Sequence, residues 1–228
     1  MAKNVIITGT SSGIGYELVK IFATRGHNVI ALSRNVLPTN DLKLSNVYSA
    51  SFDINNDSNH KMLIEYISKN WEQVDILINN AGVLINKPFS KTTTKDFKKV
   101  YSTNVFGVAA IINNILPFTK KGSHIVNISS VGGVQGSVKF SGLSAYSSSK
   151  GALITLTELL AVEYKNSGVL FNVLALGAVQ TKMLEEAFPG YQAPCSASQM
   201  AKYIFDFSLN TNKLSSGDIV LVSDKTPK

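Results

Sequence analysis

Cysteine and long apolar runs are scarce in this 228-residue chain, and each scarcity excludes a class of protein. Cys195 is the only cysteine, so no internal disulfide can form and a reducing compartment, the cytoplasm, is the expected location. No apolar run reaches the ~18–20 residues that span a bilayer, and the N-terminus carries no signal-peptide pattern. We therefore expect a cytoplasmic protein without a membrane partner.

Arginine is also scarce, although the net charge is +7. Only Arg25 and Arg34 of the 22 basic residues are arginines, and the lysines are scattered, whereas nucleic-acid readers concentrate arginine-containing patches. The three histidines do not have metal-ligand spacing. We expect neither a nucleic-acid partner nor a metal. With 44% hydrophobic and 16% charged residues, the composition predicts one compact domain over residues 1–228.

A glycine-rich turn follows a β-branched run at residues 5–7 and precedes a helical pattern over residues 16–25. Its glycines are Gly9, Gly13 and Gly15, in the order Gly-x-x-x-Gly-x-Gly, and no Gly-Lys-Ser/Thr of a P-loop follows. Glycines allow close backbone approach, and free amides at a helix N-terminus attract a pyrophosphate. The turn therefore predicts a dinucleotide site.

Strand-like and helical segments alternate along the rest of the chain. Strands are predicted at residues 29–32, 46–52, 75–78, 124–128, 169–175 and 219–222, and helices at 57–71, 94–117, 146–164 and 198–209. This alternation predicts a doubly wound α/β domain of Rossmann type, with a parallel sheet and helices on both faces. Residues 182–198 contain Pro189, Gly190 and Pro194 and are expected to form a loop or short lid beside the site.

Several polar residues follow the predicted strands, where open α/β sheets bind their ligands. Arg34 follows the second strand, where an acid would hold a free 2′-hydroxyl and an arginine a 2′-phosphate, so NADP(H) is favoured and NAD(H) stays open. Asn79 and Asn80 follow the fourth strand and either make a turn or brace neighbouring strands beside the cofactor. Asn104 lies inside a predicted helix, which a kink with a water-holding role or simple solvent exposure would explain.

Tyr146 and Lys150 are four residues apart, so a helix places them on one face. An ammonium beside a phenol favours the phenolate, which predicts a lowered pKa for Tyr146 and a role in proton transfer.

Together these residues resemble the short-chain dehydrogenase/reductase family across nearly the full chain. The matches are Thr8-Gly9-x-x-x-Gly13-x-Gly15, Asp53, Asn79-Asn80-Ala81-Gly82, Asn104, Ser130, Tyr146-x-x-x-Lys150 and Thr181. The resemblance implies a seven-stranded parallel sheet, hydride transfer between a nicotinamide cofactor and a carbonyl or alcohol, and a homodimer or homotetramer.

The resemblance also implies residue roles. Tyr146 would be the general acid or base, Lys150 would lower its pKa and bind the nicotinamide ribose, Ser130 would hold the substrate oxygen, and Asn104 would position a water. The expected cofactor-binding residues are Gly9, Ser11, Ser12, Gly13, Ile14, Gly15, Arg34, Asp53, Ile54, Asn80, Ala81, Gly82, Tyr146, Lys150, Gly177, Val179 and Thr181.

Three departures from the family pattern are present. Ala175-Leu176-Gly177 replaces Asn-Pro-Gly, which predicts an altered turn at the nicotinamide pocket. The Ser130–Tyr146 gap is three residues longer than usual, which predicts an enlarged loop around residues 137–140 and leaves Ser129 as an alternative to Ser130. The usual Asp-Gly-Gly after the last strand is missing, which weakens the expectation of a tetramer. A non-catalytic NADP(H)-binding sensor or scaffold on the same fold is the competing hypothesis.

Overall fold

The structure, a computed structural model, describes residues 1–210 and 215–222. Seven of its strands are parallel: β1 (Asn4–Thr8), β2 (Asn28–Ser33), β3 (Val47–Ser51), β4 (Ile76–Asn79), β5 (His124–Ser130), β6 (Leu170–Leu176) and β9 (Ile219–Val222). They form one sheet in the order β3-β2-β1-β4-β5-β6-β9, so the predicted seven-stranded parallel sheet is confirmed. Two short strands, β7 (Val179–Gln180) and β8 (Cys195–Ser196), form a separate pair.

Helices connect successive strands of the sheet. They are α1 (Gly13–Thr24), α2 (Leu37–Asn40), α3 (Asp57–Asn70), α4 (Thr94–Tyr101), α5 (Gly107–Ile115), α6 (Ser144–Glu163), α7 (Lys182–Ala187) and α8 (Ala197–Leu209). A parallel pair needs such a crossover, because the chain must return to the starting edge before the next strand begins.

The core has two halves because successive side chains of a strand point to opposite faces. In β1, Val5 and Ile7 pack in the cluster that includes Phe22 of α1 and Phe205 of α8. Ile6 packs in the other cluster, with residues of α3 and α5 such as Ile67. All three β1 residues are fully buried. This two-sided burial explains why the central strands are apolar without interruption.

Two predicted segments differ from the structure. The helix expected over residues 94–117 is interrupted by a π-helical turn, Ser102–Phe106, between α4 and α5. Asn104 lies in this turn and is fully buried, so solvent exposure is the wrong explanation and a local distortion is the right one. The expected lid at 182–198 is not only loop, because it contains α7 and β8.

The first departure from the family pattern, Ala175-Leu176-Gly177, lies at the end of β6. Leu176 continues the strand and pairs with Val222, and the Gly177 N–H donates to the Val222 carbonyl at 2.7 Å. The positions after the last strand, where the family pattern has Asp-Gly-Gly, are within residues 223–228 and lie outside the described residues. Within the part of the chain that the structure describes, no helix is long and apolar enough to cross a membrane.

Candidate active site

A cavity of about 640 Å³ lies at the carboxyl edge of the sheet, along the ends of β1, β2, β4, β5 and β6. It is lined by all of the predicted site residues except Gly15 and Asn104, which lie directly behind its wall. The lining residues among the predictions are Gly9, Ser11, Ser12, Gly13, Ile14, Arg34, Asp53, Ile54, Asn80, Ala81, Gly82, Ser130, Tyr146, Lys150, Gly177, Val179 and Thr181. The structure therefore brings the predicted set together.

The glycine turn requires glycine on steric grounds. A Cβ on Gly9, whose φ is +73°, would lie 2.8 Å from the Ala81 Cα. A Cβ on Gly15 would lie 2.2 Å from the Gly9 carbonyl oxygen. Real Cβ atoms are not found at such distances. A side chain at Gly9 would push the turn away from the chain after β4, and one at Gly15 would force the two ends of the turn apart. The glycines therefore hold this wall of the cavity against the Asn80–Ala81 backbone.

The N-terminus of α1 has the features of an anion site. Ser12 stands at the N-cap, but its side chain makes no capping hydrogen bond, and the first turn has no acidic residue. Side chains cap the N-termini of α3, α4, α7 and α8, whereas those of α2, α5 and α6 lack such a cap, as α1 does. The first amides of α1 thus remain available to a ligand, and the helix dipole favours a negative one. A dinucleotide pyrophosphate fits this turn.

Asn79 and Asn80 brace the strands, as one of the two sequence hypotheses proposed. Asn80 Nδ2 donates to the carbonyls of Thr8 and Gly9 at 3.1 and 3.2 Å. Thr8 Oγ1 accepts in return from the backbone amides of Asn80 and Ala81 at 3.1 and 3.0 Å. Asn79 Nδ2 donates to Asn127 Oδ1 on β5 at 2.8 Å. The ends of β1, β4 and β5 are therefore fixed relative to one another.

The far end of the cavity has one exposed cation and one polar wall. Arg34 follows β2, is exposed and makes no ion pair with the described residues. Asp53 also lines this end, with Oδ1 accepting from the Asn55 amide at 2.9 Å. The adjoining Ile54 carbonyl accepts from His60 Nε2 at 2.9 Å, which ties this wall to α3.

Tyr146 and Lys150 lie in the first two turns of α6 and share a face, as the spacing predicts. Lys150 Nζ lies 5.8 Å from the centre of the Tyr146 ring and donates to the Ile128 carbonyl at 2.7 Å. Gly82 lies opposite them: a Cβ there would stand 3.6 Å from Lys150 Nζ and 3.5 Å from Asn104 Oδ1. The lack of a side chain at Gly82 therefore leaves space between the amine and the amide oxygen.

The predicted direction of the Tyr146 pKa is wrong for this cleft. Burial raises the pKa of Tyr146 to about 12, and a hydrogen bond with Ser130 acts in the opposite direction. Burial also lowers the pKa of Lys150 to about 8. The physical reason is desolvation, which disfavours the charged form of both groups.

The two serines after β5 have different environments. Ser129 is buried, and its hydroxyl donates to the Lys150 carbonyl at 2.9 Å, which anchors α6 to β5. Ser130 Oγ lies at the cavity and accepts from the Gly132 amide at 3.3 Å. The hydroxyl that faces Tyr146 therefore belongs to Ser130, and the residues of the longer gap form the loop that precedes α6.

Asn104 is held by backbone and side-chain bonds. Its Oδ1 accepts from the Val83 amide at 2.8 Å, and its Nδ2 donates to the Val83 carbonyl at 2.9 Å and to Ser149 Oγ at 3.0 Å. These contacts connect the π-helical turn with α6 and with the chain that follows Gly82. An amide oxygen can accept a second hydrogen bond, and that capacity remains beside the open space at Gly82.

A comparison with protein-family models decides the family. Residues 3–192 match the model described as short chain dehydrogenase. The chain belongs to the short-chain dehydrogenase/reductase family. It is therefore a member of a family of oxidoreductases, and the resemblance predicted from its motifs is confirmed.

Named relatives of this short-chain dehydrogenase/reductase include 2-(R)-hydroxypropyl-CoM dehydrogenase from Xanthobacter autotrophicus. The identity is 30% over 197 residues, which cover 81% of this chain and 78% of the relative. The 3-amino-tetrahydro-pyrrolizinone reductase from Xenorhabdus hominickii is 31% identical over 187 residues, covering 81% of this chain and 64% of the relative. The chain thus spans less than two thirds of the second relative.

A solved structure of ElxO with NADP bound has a TM-score of 0.87 and 27% identity, and covers 99% of both chains. A 4-hydroxyisoleucine dehydrogenase mutant complexed with NADH and succinate has a TM-score of 0.86 at 24% identity, over 97% of both chains, and shares the fold. By their descriptions, the first of these neighbours binds NADP and the second binds NADH.

Sequence reasoning missed three residues that shape the site. Thr8 was noted only as part of a motif, although its hydroxyl holds two amides after β4. His60 supports the Ile54 carbonyl from α3, six residues later in the chain. Asn86 Nδ2 donates to the Ala187 carbonyl at 2.7 Å and joins the end of α7 to the chain after β4. Only the first had a sequence signal, because the other two contacts depend on how the helices pack.

Proposed function

We propose that this chain is an NADP(H)-dependent carbonyl reductase whose general acid is Tyr146. The observation that carries the proposal is one cavity in which the Ser130 and Tyr146 hydroxyls lie across from a glycine-rich anion site. The reduced nicotinamide, when bound, supplies the hydride. The chain's residues bind the carbonyl compound, orient it and provide the proton, so that the product is an alcohol.

The Tyr146 phenol is available as the acid, because burial raises its pKa to about 12 and the group is protonated at neutral pH. A pKa this far above neutrality makes a weak proton donor, so the proposed role requires stabilisation of the phenolate as it forms. In the proposed reduction the Tyr146 O–H bond breaks and the proton goes to the carbonyl oxygen as that oxygen gains negative charge. Ser130 donates a hydrogen bond to the same oxygen and stabilises this charge. The buried ammonium of Lys150 stabilises the resulting phenolate until it is reprotonated.

Reprotonation is assigned to Lys150 and a water beside Gly82. Asn104 Oδ1 and Lys150 Nζ both border the space at Gly82. A water in this space would accept a hydrogen bond from Lys150 Nζ and donate one to Asn104 Oδ1. Asp53 and Ile54 are proposed to contact the adenine, Asn80 to Gly82 the adenosine side, and Gly177, Val179 and Thr181 the carboxamide. All of these residues line the cavity.

The preference for NADP(H) rests on Arg34. Its guanidinium lies at the end of β2, lines the cavity and is not engaged in an ion pair with the described residues, so it can bind a 2′-phosphate. We further propose one functional domain over residues 1–228, a cytoplasmic location and a homo-oligomer, in line with the family.

The first test follows absorbance at 340 nm with purified protein, NADPH and a panel of neutral and charged ketones and aldehydes. Loss of absorbance that needs both protein and carbonyl supports the reductase. Tight NADPH binding without turnover across the panel would instead support the competing sensor or scaffold function.

The cofactor preference has its own variant. Arg34→Ala should raise the Kd for NADPH by about 10- to 100-fold, the range of one or two charge-assisted hydrogen bonds, and leave the Kd for NADH within about threefold. Arg25→Ala is the matched control, because Arg25 follows α1 and does not line the cavity. Equal effects of Arg34→Ala on the two cofactors would refute the NADP preference.

A further inference from the structure

The part of the cavity beyond the Tyr146 hydroxyl has an apolar lining drawn from three segments. Leu84 comes from the chain after β4, Phe140 and Leu143 from the loop before α6, and Met183, Phe188 and Tyr191 from α7 and the residues after it. None of these side chains belongs to the glycine turn, the ends of β2 and β3, or the proton-transfer set. They are the surfaces that a substrate body would contact.

The charged side chains that line the cavity lie at the proposed adenosine end, beside Tyr146 and at the exposed start of α7. Within the described residues, the charged side chains that line the cavity are Arg34, Asp53, Lys150 and Lys182. Arg34 and Asp53 follow β2 and β3 at the proposed adenosine end, and Lys150 donates to the Ile128 carbonyl. The Lys182 side chain is 77% exposed and pairs with Glu186 at 3.8 Å. No side chain of this lining is therefore arranged to neutralise an anionic substrate.

The three segments are joined at the rim of the cavity. Asn86 Nδ2 donates to the Ala187 carbonyl at 2.7 Å, and the Lys87 amide donates to the Gly142 carbonyl at 2.9 Å. Gly142 has a φ of +84°, and a Cβ there would stand 2.0 Å from Asn86 Oδ1, so the segments touch closely. These bonds give the apolar lining a fixed outer limit.

We propose that the substrate of this site is a neutral ketone or aldehyde with an aryl or alkyl body, and that keto acids and phosphorylated carbonyl compounds are rejected. This inference rests on the proposed reductase function and specifies its substrate class. An apolar body gains free energy by leaving water, whereas a carboxylate buried beside these side chains loses hydration without gaining a partner.

The test is a matched pair of ketones that differ in charge away from the reacting carbonyl. Methyl 4-acetylbenzoate should be reduced with a kcat/KM at least about 30-fold higher than 4-acetylbenzoate, because the cation nearest the apolar lining among the described residues, Lys182, is exposed and paired with Glu186. In the series from 2-butanone to 2-octanone, kcat/KM should rise by about fourfold per methylene until the rim is reached. Equal values for the pair, or a preference for the anion, would overturn the proposal.

Variants locate the effect in the apolar lining. Phe188→Ala should lower kcat/KM for acetophenone by about tenfold and that for acetone by less than about threefold. Phe89→Ala is the matched control, since Phe89 is 72% exposed and lies outside the cavity lining. Met183→Lys places an ammonium in the lining and should improve 4-acetylbenzoate relative to its ester. The absence of any such shift would contradict the proposed location.

Failure of the reductase function gives a different result from failure of this inference. If no carbonyl compound is reduced although NADPH binds, the proposed function is wrong. The substrate class is then decided by binding of the same two acetylbenzoates to the NADPH complex, measured by ligand-observed NMR. Stronger binding of the ester supports the apolar site, and equal or stronger binding of the carboxylate refutes it.

Discussion

The two edges of the parallel sheet differ in how completely their buried polar side chains are paired. At the amino edge, Asp75 accepts from the Asn4 amide, Lys3 Nζ and Gln73 Nε2 at 2.8, 3.1 and 2.8 Å. His124 at the start of β5 uses both ring nitrogens: Nδ1 donates to the Ser208 carbonyl at 3.0 Å, and Nε2 accepts from Asn172 at 3.1 Å. Both side chains are buried and have protein partners.

At the carboxyl edge, several buried polar atoms lack a partner among the described residues. They include Thr10 Oγ1 in the glycine turn, Asn79 Oδ1 at the end of β4 and Ser147 Oγ beside Tyr146. Buried polar groups are normally paired, so we expect ordered water to complete these atoms, whose residues lie behind the cavity lining. The comparison implies that substitutions at the carboxyl edge reduce activity, whereas those at the amino edge reduce stability.

The largest expected effect is the loss of activity in Tyr146→Phe. Removing the hydroxyl removes the proposed proton donor, so kcat/KM should fall by about 10²- to 10⁴-fold, the range of general acid catalysis. The Kd for NADPH and the free energy of unfolding should change little, because the ring that packs beside Lys150 remains. Steady-state kinetics, NADPH titration and urea unfolding measure the three quantities.

Tyr48→Phe is the control for this variant, since Tyr48 stacks on Tyr66 at 3.7 Å and does not line the cavity. It should keep full activity. Reduction by Tyr146→Phe at a rate near that of the unaltered protein would place the proton donor elsewhere.

Local sequence patterns predicted the features of the carboxyl edge that depend on neighbouring residues. The glycine turn, the asparagines after β4 and the Tyr146–Lys150 spacing each involve residues a few positions apart, so periodicity and turn chemistry identify them. The sequence could not decide whether Asn104 is exposed, because its partners Val83 and Ser149 are 21 and 45 residues away. It also gave the wrong direction for the Tyr146 pKa, because spacing reveals a neighbour but not the loss of water around it.

The sequence did not predict the hydrogen bonds of the amino edge. His124 was considered only as a metal ligand, and nothing near it indicates that its partner is the Ser208 carbonyl, 84 residues later. The lid was similarly difficult, since α7 has six residues and β8 has two, too few for a periodic pattern. What the sequence missed is what packing between distant segments creates.

The next largest effect is expected at the amino edge, in Asn172→Ala. Asn172 is fully buried, donates to His124 Nε2 and accepts from the Asp218 amide at 2.9 Å. Its removal leaves both partners unsatisfied, so the free energy of unfolding should fall by roughly 3 kcal/mol. At temperatures where the variant is folded, kcat/KM should stay within about threefold of the unaltered value.

Asn70→Ala is the matched control, because the Asn70 side chain is exposed and bonds only the Tyr66 carbonyl. It should change the free energy of unfolding by less than about 0.5 kcal/mol. A loss of activity in folded Asn172→Ala that exceeds its loss of stability would break the distinction between the two edges.

The smallest expected effect is the contribution of His124 to the pH dependence of the free energy of unfolding. Burial lowers the pKa of His124 from its ordinary value of 6.5 to about 4, with the Ser208 bond acting in the other direction. The unfolded chain therefore binds the proton more readily than the folded one, and stability is present above pH 6.5 and lost as the pH falls toward 4. At pH 5 this single group should reduce the free energy of unfolding by about 2 kcal/mol relative to pH 7.

Urea unfolding of the unaltered protein and of His124→Gln at pH 7 and pH 5 isolates this contribution. Glutamine does not titrate, so the variant should be less stable at pH 7 but should lose about 2 kcal/mol less on acidification. Other titrating groups are common to both proteins and cancel in the difference. An identical pH dependence in the two proteins would show that His124 accepts a proton in the folded state as easily as in the unfolded one. The amino edge would then be more open to water than its hydrogen bonds imply.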